Sequence, residues 1–533
     1  MKTRWLAIGL MGLLTIMGVV YLSPRPAPEA QTVTVEGAAV VETAVAPAAA
    51  LTVAPGRVVT PQEVAAAEAS LGPAPQAGVV KPFLPTLGAD EYRAAKAAAA
   101  TLAPSSGGRP GVSAANGPLG PPTLLLTNIE GVNQTTAGGL RPPDTHGAIG
   151  LTQFVEITNT NLNVYNKLSP FALTRNQRLS SFFGYTAQTI FDPRVLYDKT
   201  WNRWVIYAEA FKESATVQRI FLGISTTSSA TGSFCIYHVD VNIFNNADFW
   251  DYGQLGMDQD SIILTANIFN PGFAGARMFS IAKAQLYNCR GFSVPVFSGL
   301  VGTLAPPVVL DQNSRTYLMA APPSGTSIRK YTLTNSSRPN ATALSFVNIL
   351  VPVYGVPPDA RQPGTTNRLD TLDSRFVNAS TQIGERLFQV HTVNLSGFPT
   401  PLFYEFNTLG AGSVVQRGFF FKDGDSDDWN ASIAANTSRD VFVTWSATDL
   451  TPATNAQVRF SGRRNFDAAN VIGAGSAIFT SPAFYNPSAD TVERWGDYSA
   501  VTVDPSNALR AWFVNEKINS ATVWGTRIGQ VGY

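Results

Sequence analysis

Charge is scarce in this chain. Only 14% of its 533 residues are charged, and 38 lysines and arginines almost cancel 37 aspartates and glutamates. Phosphate binding needs a local excess of cations. No basic stretch supplies one, so nucleic acid is excluded as a partner. Two cysteines, Cys235 and Cys289, are too few for a disulfide-built fold or a cysteine-rich metal site. Histidine is rarer than usual, at His146, His238 and His391. The patterns G-x-S-x-G, H-E-x-x-H and the P-loop are missing, which leaves serine-hydrolase, zincin and NTPase readings without support. Helical periodicity is almost absent after Pro122.

What is present is apolar and aromatic: 45% hydrophobic residues and 11% aromatics, enough for a sizeable core. Lys2 and Arg4 precede an apolar run from Trp5 to Leu22. At about 18 residues it is long for a signal-peptide core and barely long enough for a tilted membrane span. Residues 1–22 therefore read as a signal peptide or a retained N-terminal membrane anchor. Ala30 offers a cut site, although Pro28 stands where a small residue is preferred. Both readings place the rest of the chain outside the cytoplasm, secreted or held at the surface by its N-terminus alone.

Residues 23–121 are dominated by alanine and proline and read as a flexible linker or stalk, with a pro-segment covering the domain as the other reading. Helical pieces are expected after Thr60-Pro61-Gln62-Glu63, a capping-box pattern, and over Asp90–Ala103.

From residue 122 to 533, short runs rich in Val, Ile, Phe, Tyr, Trp and Thr alternate with Gly, Pro, Asn, Asp and Ser turns, which is an all-β pattern. One phrase recurs: RWGDYSAVTVDPSNALRAWFVNEK from Arg494, DPRVLYDKTWNRWVIYAEA from Asp192, and PPVVLDQNSRTYLMAAPP from Pro306. Repeat starts fall about 50–70 residues apart, which fits units of four strands and a β-propeller. Seven blades are expected, with six or eight open. The fifth should begin with a strand at Ser374–Asn378. The seventh supplies only three strands before Tyr533, and Thr123–Ile129 is spare, so pairing of that strand with the last blade should close the ring.

Several of these stretches carry a resemblance. PPDTHGAIGLTQFVEITNTNLNVYNK, DPRVLYDKTWNRWVI, FWDYGQLGMDQDSIILTANIF and RWGDYSAVTVDP resemble a group of secreted bacterial β-propeller proteins. At superfamily level that group is similar to sialidase-like propellers. The resemblance implies the fold over residues 122–533 and no agreed activity. The sialidase Asp-box, S-x-D-x-G-x-x-W, does not occur here.

Six of the seven blade starts carry an aspartate: Asp144, Asp192, Asp251, Asp373, Asp428 and Asp497. The fourth, Ala305-Pro306-Pro307, is the exception. Three readings stay open for this ring at the channel mouth. Each aspartate caps its own turn, with Arg194 and Arg375 as ion-pair partners. The ring holds a hard cation such as Ca²⁺. Or it forms a polar ligand pocket, such as one for sugar, with Tyr252, Trp429, Trp495 and Tyr498 as stacking faces. His146 is the titrating candidate at this mouth. Arg194, Arg375 and Arg494 are candidates to converge on a carboxylate. Asp423–Asp428 matches a calcium loop only at its start and reads as a solvated turn. In an oxidising compartment Cys235 and Cys289 should bridge the second and third blades.

The expected function is binding or scaffolding at the cell surface or in the medium, by a monomer, with a glycan or a surface protein as partner. The rival is a glycoside-active (sialidase-like) or other hydrolytic enzyme at the acidic mouth. No residue is assigned a catalytic role, and Ca²⁺ is the one cofactor considered.

Overall fold

The computed structural model describes residues 42–73, 78–80, 82–102, 109 and 123–533. The leader, its cleavage site and residues 103–108 and 110–122 of the expected linker lie outside the described residues. Among the described residues, no helix is long and apolar enough to cross a membrane.

The molecule is all-β, in a propeller-like set of sheets. Consecutive strands pair antiparallel with their sequence neighbours, as short hairpin connections dictate. The second sheet shows the pattern most clearly. Ile190–Asp198, Arg203–Ala210, Arg219–Ser225 and Phe234–Asp240 pair in order. All nine residues of Ile190–Asp198 are buried, which explains why the strand reads as a continuous run and not as an alternation. The third sheet is Phe249–Met257, Ser261–Phe269, Phe273–Ala282 and Phe292–Leu300. Apolar side chains between these two sheets form one continuous cluster, including Tyr207, Leu222, Trp250, Leu264 and Phe279.

Sheets one, five and six are likewise four-stranded, beginning at His146, Ser380 and Ser426. In the fourth, Thr303–Ala305 pairs with Arg315–Ala321. The next strand, Pro307–Val309, pairs in parallel with both Phe249–Met257 and Ser380–Ile383. The seventh holds Ala500–Val503, Arg510–Ser520 and Val523–Gly532, and its outer strand is Leu124–Asn133, with Ile129 opposite Ile528.

Two expectations are corrected. Ser374–Asn378 is not a strand; the fifth sheet begins at Ser380. The backbone carbonyls of this loop are taken by side chains instead of a ladder. Ser374 O accepts from His391, Phe376 O and Val377 O from Gln254, Val377 O from Arg194, and Asn378 O from Gln389. Nor are residues 43–73 and 82–102 a free stalk. Thr43–Val45, Ala49–Val53 and Arg57–Val59 add outer strands to sheets four, three and two. Open sheet edges are the ready partners for such short Val- and Thr-bearing stretches. Helix α1, Pro61–Ser70, carries the expected capping box on Thr60 and Glu63. Glu68 at its end accepts from the backbone and guanidinium of Arg178. Helix α2 spans Ala89–Ala100.

Cys235, in the fourth strand of sheet two, is disulfide-bonded to Cys289, just before the last strand of sheet three, with Cα atoms 5.7 Å apart and a sequence separation of 54. Closing a loop of that length is worth about 4 kcal/mol on a chain-entropy basis. Reducing the bond, or replacing both cysteines by alanine, should lower the free energy of unfolding by about 2–4 kcal/mol, and the urea midpoint with it. Chemical denaturation with and without reductant measures it.

Candidate functional site

Three inner strands open with the same irregularity. Opposite two steps on the partner strand, each takes three: Phe191 to Arg194, Asp251 to Gln254 and Trp429 to Ser432. The extra residue is a β-bulge, which re-aims the side chains around it. Asp192, Tyr252 and Asn430 in these bulges have positive φ, as do Asp144 and Leu372 at other sheet starts. Gly253 is required as well: a Cβ there would lie 2.0 Å from the Tyr207 hydroxyl.

The bulges turn polar side chains onto the axis. Arg194 is 2% exposed. Its Nε donates to Gly253 O at 3.1 Å, and its Nη1 to Val377 O at 3.0 Å and Asn378 Oδ1 at 2.6 Å. Its guanidinium lies 3.4 Å from the Tyr498 ring centroid. Asn378 in turn donates to Ser432 Oγ and Ser499 O, and the two serine hydroxyls are 2.7 Å apart. This network ties sheets two, three, five, six and seven together. Beyond it lies a cavity of about 160 Å³, whose lining includes His146, Met257, Val308, Ser380, Ser432 and Ala500.

Every candidate aspartate at the mouth is buried. Asp373 accepts from the Arg375 backbone at 3.1 Å and from its guanidinium Nε and Nη2 at 2.7 and 2.9 Å. Burial alone would raise its pKa, but the charge and hydrogen bonds of Arg375 hold it below the usual carboxylate value. Asp497 pairs with Arg494, which also grips Asp370. Asp428 accepts from Arg109 at 3.1 Å, Ser426 at 2.6 Å and the Trp445 indole at 2.8 Å. Even so, burial leaves its pKa raised. Asp144 accepts from Asn159 at 2.5 Å and from the Asp497 backbone at 2.7 Å. Burial, then the charges of Asp497 and Asp192, push its pKa well up. Nearby Glu516 is raised as well, chiefly by burial.

The ring expected to hold one cation is thus divided. Asp144 lies by Asp497, and Asp192 and Asp251 come together with Glu209, the carboxylate oxygens of this trio within 4.8 Å of one another. Among the described residues this is the one trio spaced to ligate a metal ion. Glu209 also serves as a clamp, accepting from the backbones of Tyr252 and Gly253 at 3.1 Å and from the Tyr207 hydroxyl at 2.6 Å. Asp423 caps its own loop through the backbones of Asp425 and Ser426.

The three arginines gather around one aromatic group, though not as a free trio. Arg194 and Arg375 both face the Tyr252 ring, at 5.8 and 4.5 Å. Arg375 and Arg494 both face Phe83, at 4.6 and 5.6 Å. Arg194 pairs with carbonyls instead of the expected carboxylate. The expected stacking faces are corrected too: Tyr252, Trp429, Trp495 and Tyr498 are all buried, and Trp429 packs on Trp495 at 5.3 Å. Their ring faces are spent on the core. Arg109, Glu209, Asp370 and Glu516 are site residues that sequence reasoning missed. Glu209 was readable as the lone acid in the strand WVIYAEA.

His146 accepts from Val195 N through Nδ1 at 3.3 Å, so it is neutral with its proton on Nε2. Burial, then Arg194, hold its pKa well down. His238 lies on an outer strand, its Nε2 donating to Phe183 O at 2.7 Å.

No protein-family model matches the chain, and no curated protein does. Solved structures with a likeness include an exo-β-1,3-galactanase from Phanerochaete chrysosporium (9% identity, 76% of this chain and 96% of that one, TM-score 0.31). Trypanosoma rangeli sialidase in complex with sialic acid is another (11%, 69% and 56%, TM-score 0.34). A third is the parainfluenza virus 5 hemagglutinin-neuraminidase ectodomain (11%, 64% and 82%, TM-score 0.35). Likenesses this slight carry no argument about activity.

His391 offers a pH test. It is packed among Tyr354, Phe376 and Tyr404, donates from Nδ1 to Ser374 O at 2.7 Å, and burial lowers its pKa from 6.5 to about 4. Between those values the unfolded chain binds the proton and the folded chain does not, so stability falls as pH falls. From pH 7 to 5 this group should cost about 2 kcal/mol. In His391→Asn, whose amide keeps the donor, the acid-induced loss should shrink by that amount in denaturant titrations at the two pH values.

Proposed function

We propose that the sheets are seven blades of a propeller closed by Leu124–Asn133, and that the domain works outside the cytoplasm as a binding or scaffolding module. The carrying observation is the commitment of the mouth's charges to the protein itself. Arg375 is spent on Asp373, Arg494 on Asp370 and Asp497, and Arg109 on Asp428. Hydrolysis of a glycoside needs two carboxylates facing a substrate-sized space, one of them with a raised pKa. Asp144 and Glu516 have the raised pKa, yet both are fully enclosed. The repeated strand phrases and their resemblance to secreted bacterial propellers support the fold and location. The partner class is a glycan or a surface protein.

Two experiments test this reading. Deleting residues 123–130 should strip the outer strand from Val523–Gly532 and lower the melting temperature of the whole domain by at least about 5 °C. A deletion variant that melts like the full domain sinks the closure. Assayed against a panel of aryl glycosides and a glycan array, the full chain should bind without turnover. Turnover abolished by Asp144→Asn or Glu516→Gln would establish the enzyme instead.

A further inference from the structure

Residues 78–80 and 82–102 lie over the mouth and are held there by side chains of several kinds. Val79 and its neighbour Gly78 run parallel to Leu140–Arg141. Phe83 packs on Tyr252, Leu372, Val377 and Tyr498, with Arg375 and Arg494 at its faces. Leu84 O accepts from Arg375 Nη2 at 3.1 Å, and Thr86 Oγ1 donates to Asp373 Oδ2 at 3.3 Å. In α2, Tyr92 lies 5.6 Å from Phe83, and Lys96, 8% exposed, reaches Asp359 and Thr371 at 2.8 Å. A cleft of about 430 Å³ remains beside it, lined by Phe83, Pro85, Tyr92, Lys96, Asp359 and Asp370 among others.

Building on the binding-module reading, we propose that this mouth is a peptide-recognition site and that Phe83-Leu84-Pro85-Thr86 is its ligand held in cis. The contacts are those by which an extended peptide is read. An aromatic side chain sits in a socket of rings and guanidiniums, where cation–π attraction adds to burial. A main-chain carbonyl accepts from an arginine, and a hydroxyl three residues on donates to a carboxylate. Arg375 serves both the socket and the carbonyl, and its own orientation is fixed by Asp373. The occupant the mouth would take in trans is therefore an extended peptide with an aromatic residue, a proline two positions later and Ser or Thr after that. The adjoining cleft, lined by Phe83, Pro85 and Tyr92 of the segment and by Asp359 and Asp370, leaves open space along one side of it. A tethered ligand acts at an effective concentration of about millimolar, which shields the mouth from weaker competitors. Displacing the segment, by cleavage or by a tighter peptide, would open the site.

The test uses the full chain and a fluorescent peptide of residues 82–102, with fluorescence anisotropy as the readout. Phe83→Ala in the chain removes the competitor's anchor and leaves the mouth intact. That chain should bind the peptide at least about tenfold more tightly than the wild type. A peptide carrying the same Phe-to-Ala change should bind neither chain. Equal affinity for the two chains, or no binding to a Phe83→Ala chain that melts as the wild type does, overturns the proposal. Lys96→Met, which loosens α2 without touching the socket, provides the same comparison at smaller gain should Phe83→Ala fail to fold. A glycan or surface-protein ligand found alongside a failed peptide experiment would leave the binding module standing and remove the peptide.

Discussion

One buried cation without a carboxylate governs the centre of this protein. Arg194 brings a full positive charge to the axis, where desolvation is severe and an unpaired charge is not tolerated. The charge is met by neutral dipoles from other sheets: carbonyls of Gly253 and Val377, the amide of Asn378 and the face of Tyr498. Those groups must be held where the guanidinium needs them. That requirement accounts for the loop at Ser374–Asn378, which leaves its carbonyls free to accept from side chains such as Arg194 and Gln254 of other sheets. The same charge adds to burial in keeping His146, close by, neutral.

The aspartates divide into two populations. At the far ends of the inner strands, Asp198, Asp258 and Asp504 accept from backbone N–H groups of the hairpin that follows, as in Asp258 with Asp260 and Ser261. These are turn chemistry of the expected kind. At the mouth, carboxylates meet arginines, some near in sequence, as Asp373 with Arg375, and some distant, as Asp428 with Arg109 and Asp370 with Arg494. The far-end aspartates also reach distant cations, Asp198 to Lys283 and Asp504 to Lys167, so the difference between local and long-range partners runs through both ends.

That difference marks what was legible in the sequence. Strands and hairpins were readable because their signals are local: Val, Ile and aromatic runs, and Asp-Pro or Asn-Gly-like turns. The recurring phrase around Asp192 and Asp504 located inner strands well. Partners across 290 or 317 residues, such as Arg109 with Pro399 or Ser426, leave no local trace. Residues 43–59 were misread for a related reason. Judged alone they have too little to bury, and only the waiting edges of sheets two, three and four make them strands. The helix after Thr60 was visible because a capping box is written in four adjacent residues.

The order of those three edge strands has a bearing on biogenesis. Thr43–Val45 docks on the fourth sheet, Ala49–Val53 on the third and Arg57–Val59 on the second, so the chain laces backwards past sheets that it has not yet made. Translation delivers this lace first, yet each of its berths is built from residues 234–354. Long-range pairing of this sort waits for its template. Residues 43–59 are therefore made well before the strands that receive them, and until they dock three sheet rims stand open.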